Sequence, residues 1–228
     1  MLEAVVCRLM RFPSSLRSVL RACPVVALLF VVAAPAADAQ SSLRSSFPGR
    51  RIGGGTRGEC SARFLANLVP ANSVFAPGSG QLIGLLEGPS ANTHPLVLSF
   101  SPYSGESSSP SSGSAAVQRV LPASSAGLVL VAAPAIKGPT SWESTYRCPS
   151  GNGSAAGSEL DFVQSASPPA LSLLLPKADS ADQPIQTALK RFQQACGKTV
   201  ALADVATAFN LTDALGSGWP QEIPVRCP

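Results

Sequence analysis

Between Ala62 and Pro176 the chain holds no apolar run long enough for an ordinary helix. The runs are Phe64–Val69, Gln81–Leu86, Pro95–Phe100, Val117–Leu121, Gly127–Ala132, Trp142–Cys148, Leu160–Val163 and Leu171–Leu175. A helix needs about 10–12 residues, and most of these runs stop sooner, at proline or glycine. Several short strands at turn-punctuated intervals predict an antiparallel β-sandwich-like domain over residues 53–176. Alanine and leucine are weak strand formers, so propensity supports this pattern less than spacing does. Residues 101–116 interrupt it, with eight serines between Ser101 and Ser114. Such a segment buries too little to offset its ordering entropy and reads as a long loop.

The pattern changes after Pro176. Ile185, Ala188, Leu189, Phe192 and Cys196 recur at helical spacing, so the spacing predicts a helix with one apolar stripe. Ser180 and Gln183 have capping-box spacing, Pro184 suits the first turn, and Gly197 suits the residue past the end. A weaker second helix runs from Leu202 or Ala203 to Phe209. Pro220, Pro224 and Pro228 argue against regular structure in the tail. Residues 177–228 are thus expected to be a helical, disulfide-tied C-terminal segment, α+β with the domain before it.

The N-terminus points to export. Arg8, Arg11, Arg17 and Arg21 precede the apolar run Pro24–Ala34, and Ala37-Asp-Ala39 has the form of a cleavage site. A spanning helix needs about 20 apolar residues, so residues 1–39 read as a signal peptide, with Met1 or Met10 as its start. Removing them takes four of the 17 basic residues and two of the 13 acidic ones, leaving a net charge of +2. That balance offers no footprint for nucleic acid. Residues 40–52 show no periodicity and read as a flexible leader. The expected location is periplasmic or extracellular, with no stable transmembrane helix after cleavage.

Cys60, Cys148, Cys196 and Cys227 remain, an even number in an exported chain, which predicts two disulfides. Three pairings are open. Cys60–Cys148 and Cys196–Cys227 are favoured, because each pair lies within one compositional half. Paired C-x-x-C spacing is absent, which argues against a metal site.

Little else carries chemistry. His94 is the one histidine and no nucleophile elbow occurs, so a hydrolase built on His94 is the weaker alternative. Glu159 and Asp161 share a strand face, where they could do acid–base work. Leu160 and Phe162 alternate with them, which makes them equally the wet side of a half-buried strand. Trp142 and Tyr146 also share a face. They are candidate binding residues for a glycan or small ligand, or else core residues beside Cys148. Asn152 and Asn210 stand in glycosylation-acceptor patterns that carry little weight in an exported chain of unassigned origin.

Gly53, Gly55 and Gly58 spell G-x-G-x-x-G, but neither a buried strand before them nor an acid about 20 residues on completes a dinucleotide site. The glycines instead suit a tight turn, or positive φ, where the leader joins the fold. Arg50, Arg51 and Arg57 leave an anion or partner contact open. The whole segment Pro48-Gly-Arg-Arg-Ile-Gly-Gly-Gly-Thr-Arg-Gly-Glu-Cys60, followed by Leu68-Val-Pro70, resembles a family of exported cyanobacterial proteins of unknown function. Pro95–Tyr103 and Trp142–Cys148 are similar to later strands of that family. The resemblance covers residues 48–148 and implies an envelope location and a β-rich fold. It transfers no catalytic residue. The expectation is an exported, non-enzymatic binding or envelope-associated protein with no cofactor and with an envelope or extracellular partner.

Overall fold

A computed structural model describes residues 36–54, 63–105, 117–148 and 168–228. Contacts divide the chain into two compact units, Met1–Ala36 and Ala37–Pro228, and the fold is that of the second. The expected strand at residues 160–163, most of the signal segment and most of the serine-rich loop lie outside the described residues.

The protein is mainly β, as the run lengths require. Among the described residues the strands are β1 (Ile52–Gly53), β2 (Leu65–Asn67), β3 (Val74–Phe75), β4 (Leu82–Glu87), β5 (Leu96–Pro102), β6 (Val117–Leu121), β7 (Gly127–Ala132), β8 (Thr140–Tyr146), β9 (Ala170–Leu174), β10 (Thr199–Ala201) and β11 (Glu222–Arg226). The helices are α1 (Ala36–Ser46), α2 (Gln183–Gln193) and α3 (Leu202–Ala208). Sheet I has the order β1-β2-β4-β7-β11-β10, and sheet II the order β3-β9-β8-β5-β6. Both are mixed rather than purely antiparallel, because β11 runs parallel to β7 and β3 parallel to β9.

Strand periodicity sets the layers. Trp142, Ser144 and Tyr146 of β8 share one buried face with Leu96, Leu98 and Phe100 of β5. That face meets Leu65, Asn67, Ile83 and Leu85 of sheet I, and Asn67 donates a 3.0 Å hydrogen bond from Nδ2 to Ser172 Oγ between the sheets. The outer side of sheet I carries Gly84 beside Leu130, and α2 lies over it. A Cβ on Gly84 would stand 2.6 Å from Leu189 Cδ2, so only glycine lets the helix approach this closely. Ile185, Ala188, Leu189 and Phe192 are the buried stripe read from the spacing. The helix begins after Asp182, with no side-chain cap, so the Ser180/Gln183 capping box does not form. Gly197 takes φ of +77°, the left-handed conformation expected past a helix end.

The leader is ordered. Its lack of periodicity hides a helix, α1, held to the fold by the charge of Arg44 and by Leu43, which packs against the cluster around Val74 and Leu173. Arg44 forks onto Asp182, with Nη2 2.7 Å from Oδ2 and Nη1 3.2 Å from Oδ1, and its Nε reaches Asp179 at 2.7 Å. Phe47 then packs edge-on to Tyr103 against the outer face of β9. Arg50 pairs with Leu171 by two backbone hydrogen bonds. Arg51 donates to the carbonyls of Val69, Phe209 and Asn210, its charge closes the end of α3, and partial burial lowers its pKa. Its guanidinium is therefore committed inside the fold. Gly54 takes φ of +98°, the positive φ expected where the leader joins the sheets.

The tail departs from expectation too. Residues 222–226 form β11, inserted between β7 and β10, so the C-terminal segment completes sheet I. Pro224 is exposed and alternates with buried Ile223 and Val225. The ladder to β7 is registered at Val225 and Arg226, past the proline, so its missing N–H breaks nothing there.

Glu143 projects from the outer face of β8, half-buried, and burial raises its pKa. A raised carboxyl favours the fold while protonated, and that contribution is lost as pH climbs through the raised value. Glu143→Gln should therefore gain stability relative to wild type between about pH 4, near the unfolded glutamate pKa, and neutral pH. Thermal melts at both pH values check this; an equal difference at the two rejects it.

Candidate functional site

At one end of the sandwich the inward-facing row Tyr146–Leu96–Leu121 of sheet II lies opposite a charged group on sheet I. The last residue of β4, Glu87, is 1% exposed. Strand alternation turns it inward, the side that Leu65 and Leu85 also take. A carboxylate placed there requires cations. Arg226 Nη2 on β11 stands 2.7 Å from Glu87 Oε2, and Arg63 Nη2 stands 3.6 Å from the same oxygen. The second contact is an ion pair but too long for a hydrogen bond. Ser124 Oγ donates to Glu87 as well.

Arg63 is held by other means. Its Nε donates to the Gly88 carbonyl at 2.7 Å, and its guanidinium lies 4.7 Å from the Tyr146 ring centroid. Tyr146 in turn donates its hydroxyl to the Phe64 carbonyl at 3.3 Å. Burial first, and then Glu87, push the Tyr146 pKa far above its ordinary value, with Arg63 and Arg226 opposing. The phenol is therefore neutral and serves as a donor and as a ring face.

Beside this cluster a cleft of about 570 Å³ opens. Leu121, Pro122, Val129 and Val225 form apolar walls, and Glu87, Ser124 and Arg226 supply the polar floor. The rim is the Cys196–Cys227 disulfide, with Cα atoms 5.8 Å apart. This is the favoured C-terminal pairing. Cys148 is disulfide-bonded as well, while its favoured partner Cys60 lies outside the described residues.

The other expected residues stand elsewhere. Trp142 is 0% exposed and stacks on Phe100 with ring centroids 6.4 Å apart, and Tyr146 is 9% exposed. They share a face as the alternation requires, but that face is the core. Neither ring offers an open face for a glycan to stack on in this conformation. His94 sits half-buried in the loop before β5. Glu159, Asp161, Gly55, Arg57 and Gly58 lie outside the described residues. No group of three or more His, Cys, Asp or Glu among the described residues is placed to hold a metal ion. No helix among them is long and apolar enough to cross a membrane.

Sequence reasoning passed over Glu87, Arg63 and Arg226. Each stands alone in the sequence between apolar or turn residues, and only β11 brings Arg226 to Glu87. One signal was present: Glu87 ends the apolar run after Leu85-Leu86, at an inward parity. Compared with protein-family models, with curated proteins and with solved structures, the chain matches none.

Proposed function

We propose that this is an exported, non-enzymatic binding protein of the periplasm or the extracellular space, and that its ligand occupies the cleft beside Glu87. One observation carries the reading: about 570 Å³ of mostly apolar space closes onto a few convergent polar groups. Ligand sites are typically of this size and composition. The ligand class that fits is a small, largely apolar molecule with one hydrogen-bonding end, directed at Ser124 and Arg226. The signal-like N-terminus, the disulfides and the resemblance of Pro48–Cys60 to an exported cyanobacterial family support the location.

N-phenyl-1-naphthylamine, an uncharged apolar fluorophore, tests the site. It should bind the wild-type protein saturably. Pro122→Trp places a large ring at the exposed mouth and should weaken that binding by about tenfold or more, equivalent to about 1.4 kcal/mol. The melting temperature of the variant should be unchanged. Absence of saturable binding to the wild type would remove the proposal.

A further inference from the structure

We infer that the Cys196–Cys227 disulfide is the latch of the cleft, so that the cleft holds a ligand in an oxidising environment and opens under reduction. The inference rests on the ligand-site reading above. Of the eleven residues lining the cleft, Cys196, Gly197, Val225, Arg226, Cys227 and Pro228 belong to the two short segments that this bond joins. More than half of the wall therefore depends on how those segments are held.

Apart from the bond they are held by short ladders, two buried side chains and the Arg226–Glu87 ion pair. β11 meets β7 at two registered pairs, Val225 with Leu128 and Arg226 with Val129. On its other side lies β10, three residues long at the edge of sheet I. The two strands share three registered pairs, Thr199 with Pro224, Val200 with Ile223 and Ala201 with Glu222, flanked by Gly197 N–H to the Val225 carbonyl at 2.9 Å and Val225 N–H to the Lys198 carbonyl at 2.8 Å. Ile223 and Val225 supply the burial. The disulfide spans 31 residues, which include α3 and the turns after it. Cutting it removes the covalent limit on how far the tail can move once β11 opens.

The bond is also reachable. Cys227 is exposed and Cys196 is partly so. A dithiol such as dithiothreitol supplies two electrons and two protons. The S–S bond breaks, Cys196 and Cys227 become thiols, and the reagent closes to its cyclic disulfide. β11 then frays, and Arg226 leaves both the floor of the cleft and Glu87. A ligand site made this way is formed only where disulfides persist, outside the reducing cytoplasm. The protein is silent in binding until it has been exported and oxidised.

Two proteins test this: the wild type with and without dithiothreitol, and the double variant Cys196→Ser, Cys227→Ser, which spares the bond at Cys148. Amide hydrogen exchange is read at Gly197 and Val225 and, for comparison, in β5 and β8. Protection at Gly197 and Val225 should fall by about a hundredfold, while β5 and β8 keep theirs. Affinity for N-phenyl-1-naphthylamine should fall by about tenfold or more in the same samples. Equal affinity in the oxidised and unbridged proteins overturns the latch alone. Loss of protection throughout β5 and β8 overturns it too, because the bond would then secure the whole sandwich. If the oxidised protein binds no probe, the ligand-site reading itself fails and the inference falls with it.

Discussion

Glu87→Gln destabilises the protein by about 3 kcal/mol, lowering its melting temperature by roughly 5–10 °C. The side chain keeps its size and loses only its charge. Arg63, with its side chain 1% exposed, then has no counter-charge within ion-pair range among the described residues, and Arg226 loses its counter-charge at 2.7 Å. Removing one partner of a buried pair costs about 3–5 kcal/mol, and the partial exposure of Arg226 places this case at the low end. Urea denaturation measures the loss. Replacing the whole cluster, with Glu87→Leu, Arg63→Met and Arg226→Met together, should recover most of it, because no charge is left unpaired. A single variant within 1 kcal/mol of wild type, by the usual spread of surface substitutions, rules out the buried pairing.

Asp182→Asn costs about 2–4 kcal/mol by the same reasoning, and its effect is aimed at the N-terminal side. Asp182 is 0% exposed and satisfies four donors. These are the two guanidinium nitrogens of Arg44 and the backbone N–H groups of Ala76, at 3.1 Å, and Asp179, at 2.9 Å. An amide has one acceptor oxygen and no charge, so at least one donor loses its partner. Trypsin should then cut after Arg44 sooner than in the wild type, before the sandwich unfolds. Unchanged cleavage at Arg44 would show that Phe47 and Arg50 suffice to hold the leader.

The strands were legible because burial imposes a period and turns impose breaks. Val117–Leu121 and Gly127–Ala132 coincide with β6 and β7, and the other described runs differ from β2, β4, β5, β8 and β9 by a few residues at their ends. The apolar stripe of α2 was legible for the same reason. What could not be read has a different physical origin. α1 is polar on most sides and is held by one apolar side chain, Leu43, and by an arginine paired with an aspartate 138 residues away, so no local pattern marks it. β11 carries a proline and two buried residues, too few to register as a strand without the neighbours that fill both of its edges. The candidate site failed to show itself because its charged members, Arg63, Glu87 and Arg226, become neighbours only through pairing between distant segments. Trp142 and Tyr146 were correctly placed on one face, and the polar Ser141, Glu143 and Thr145 that alternate with them take the partly exposed side, which leaves the rings to the core.

β11 fixes when the fold can finish. Sheet I runs from Ile52 at one edge to β10 at the other, yet its fifth position is taken by residues 222–226. A nascent chain can pair β4 with β7 and β5 with β8 earlier, since those partners lie closer in sequence than β7 and β11 do. It leaves the free edge of β7 open, and Glu87 without Arg226, until residues 222–226 are available. Non-local pairing of this kind slows folding and lengthens the life of an unfinished sheet edge. The sheet therefore stays incomplete until residues 222–226 have been made. The chain's final strand closes the sheet and its last cysteine seals it.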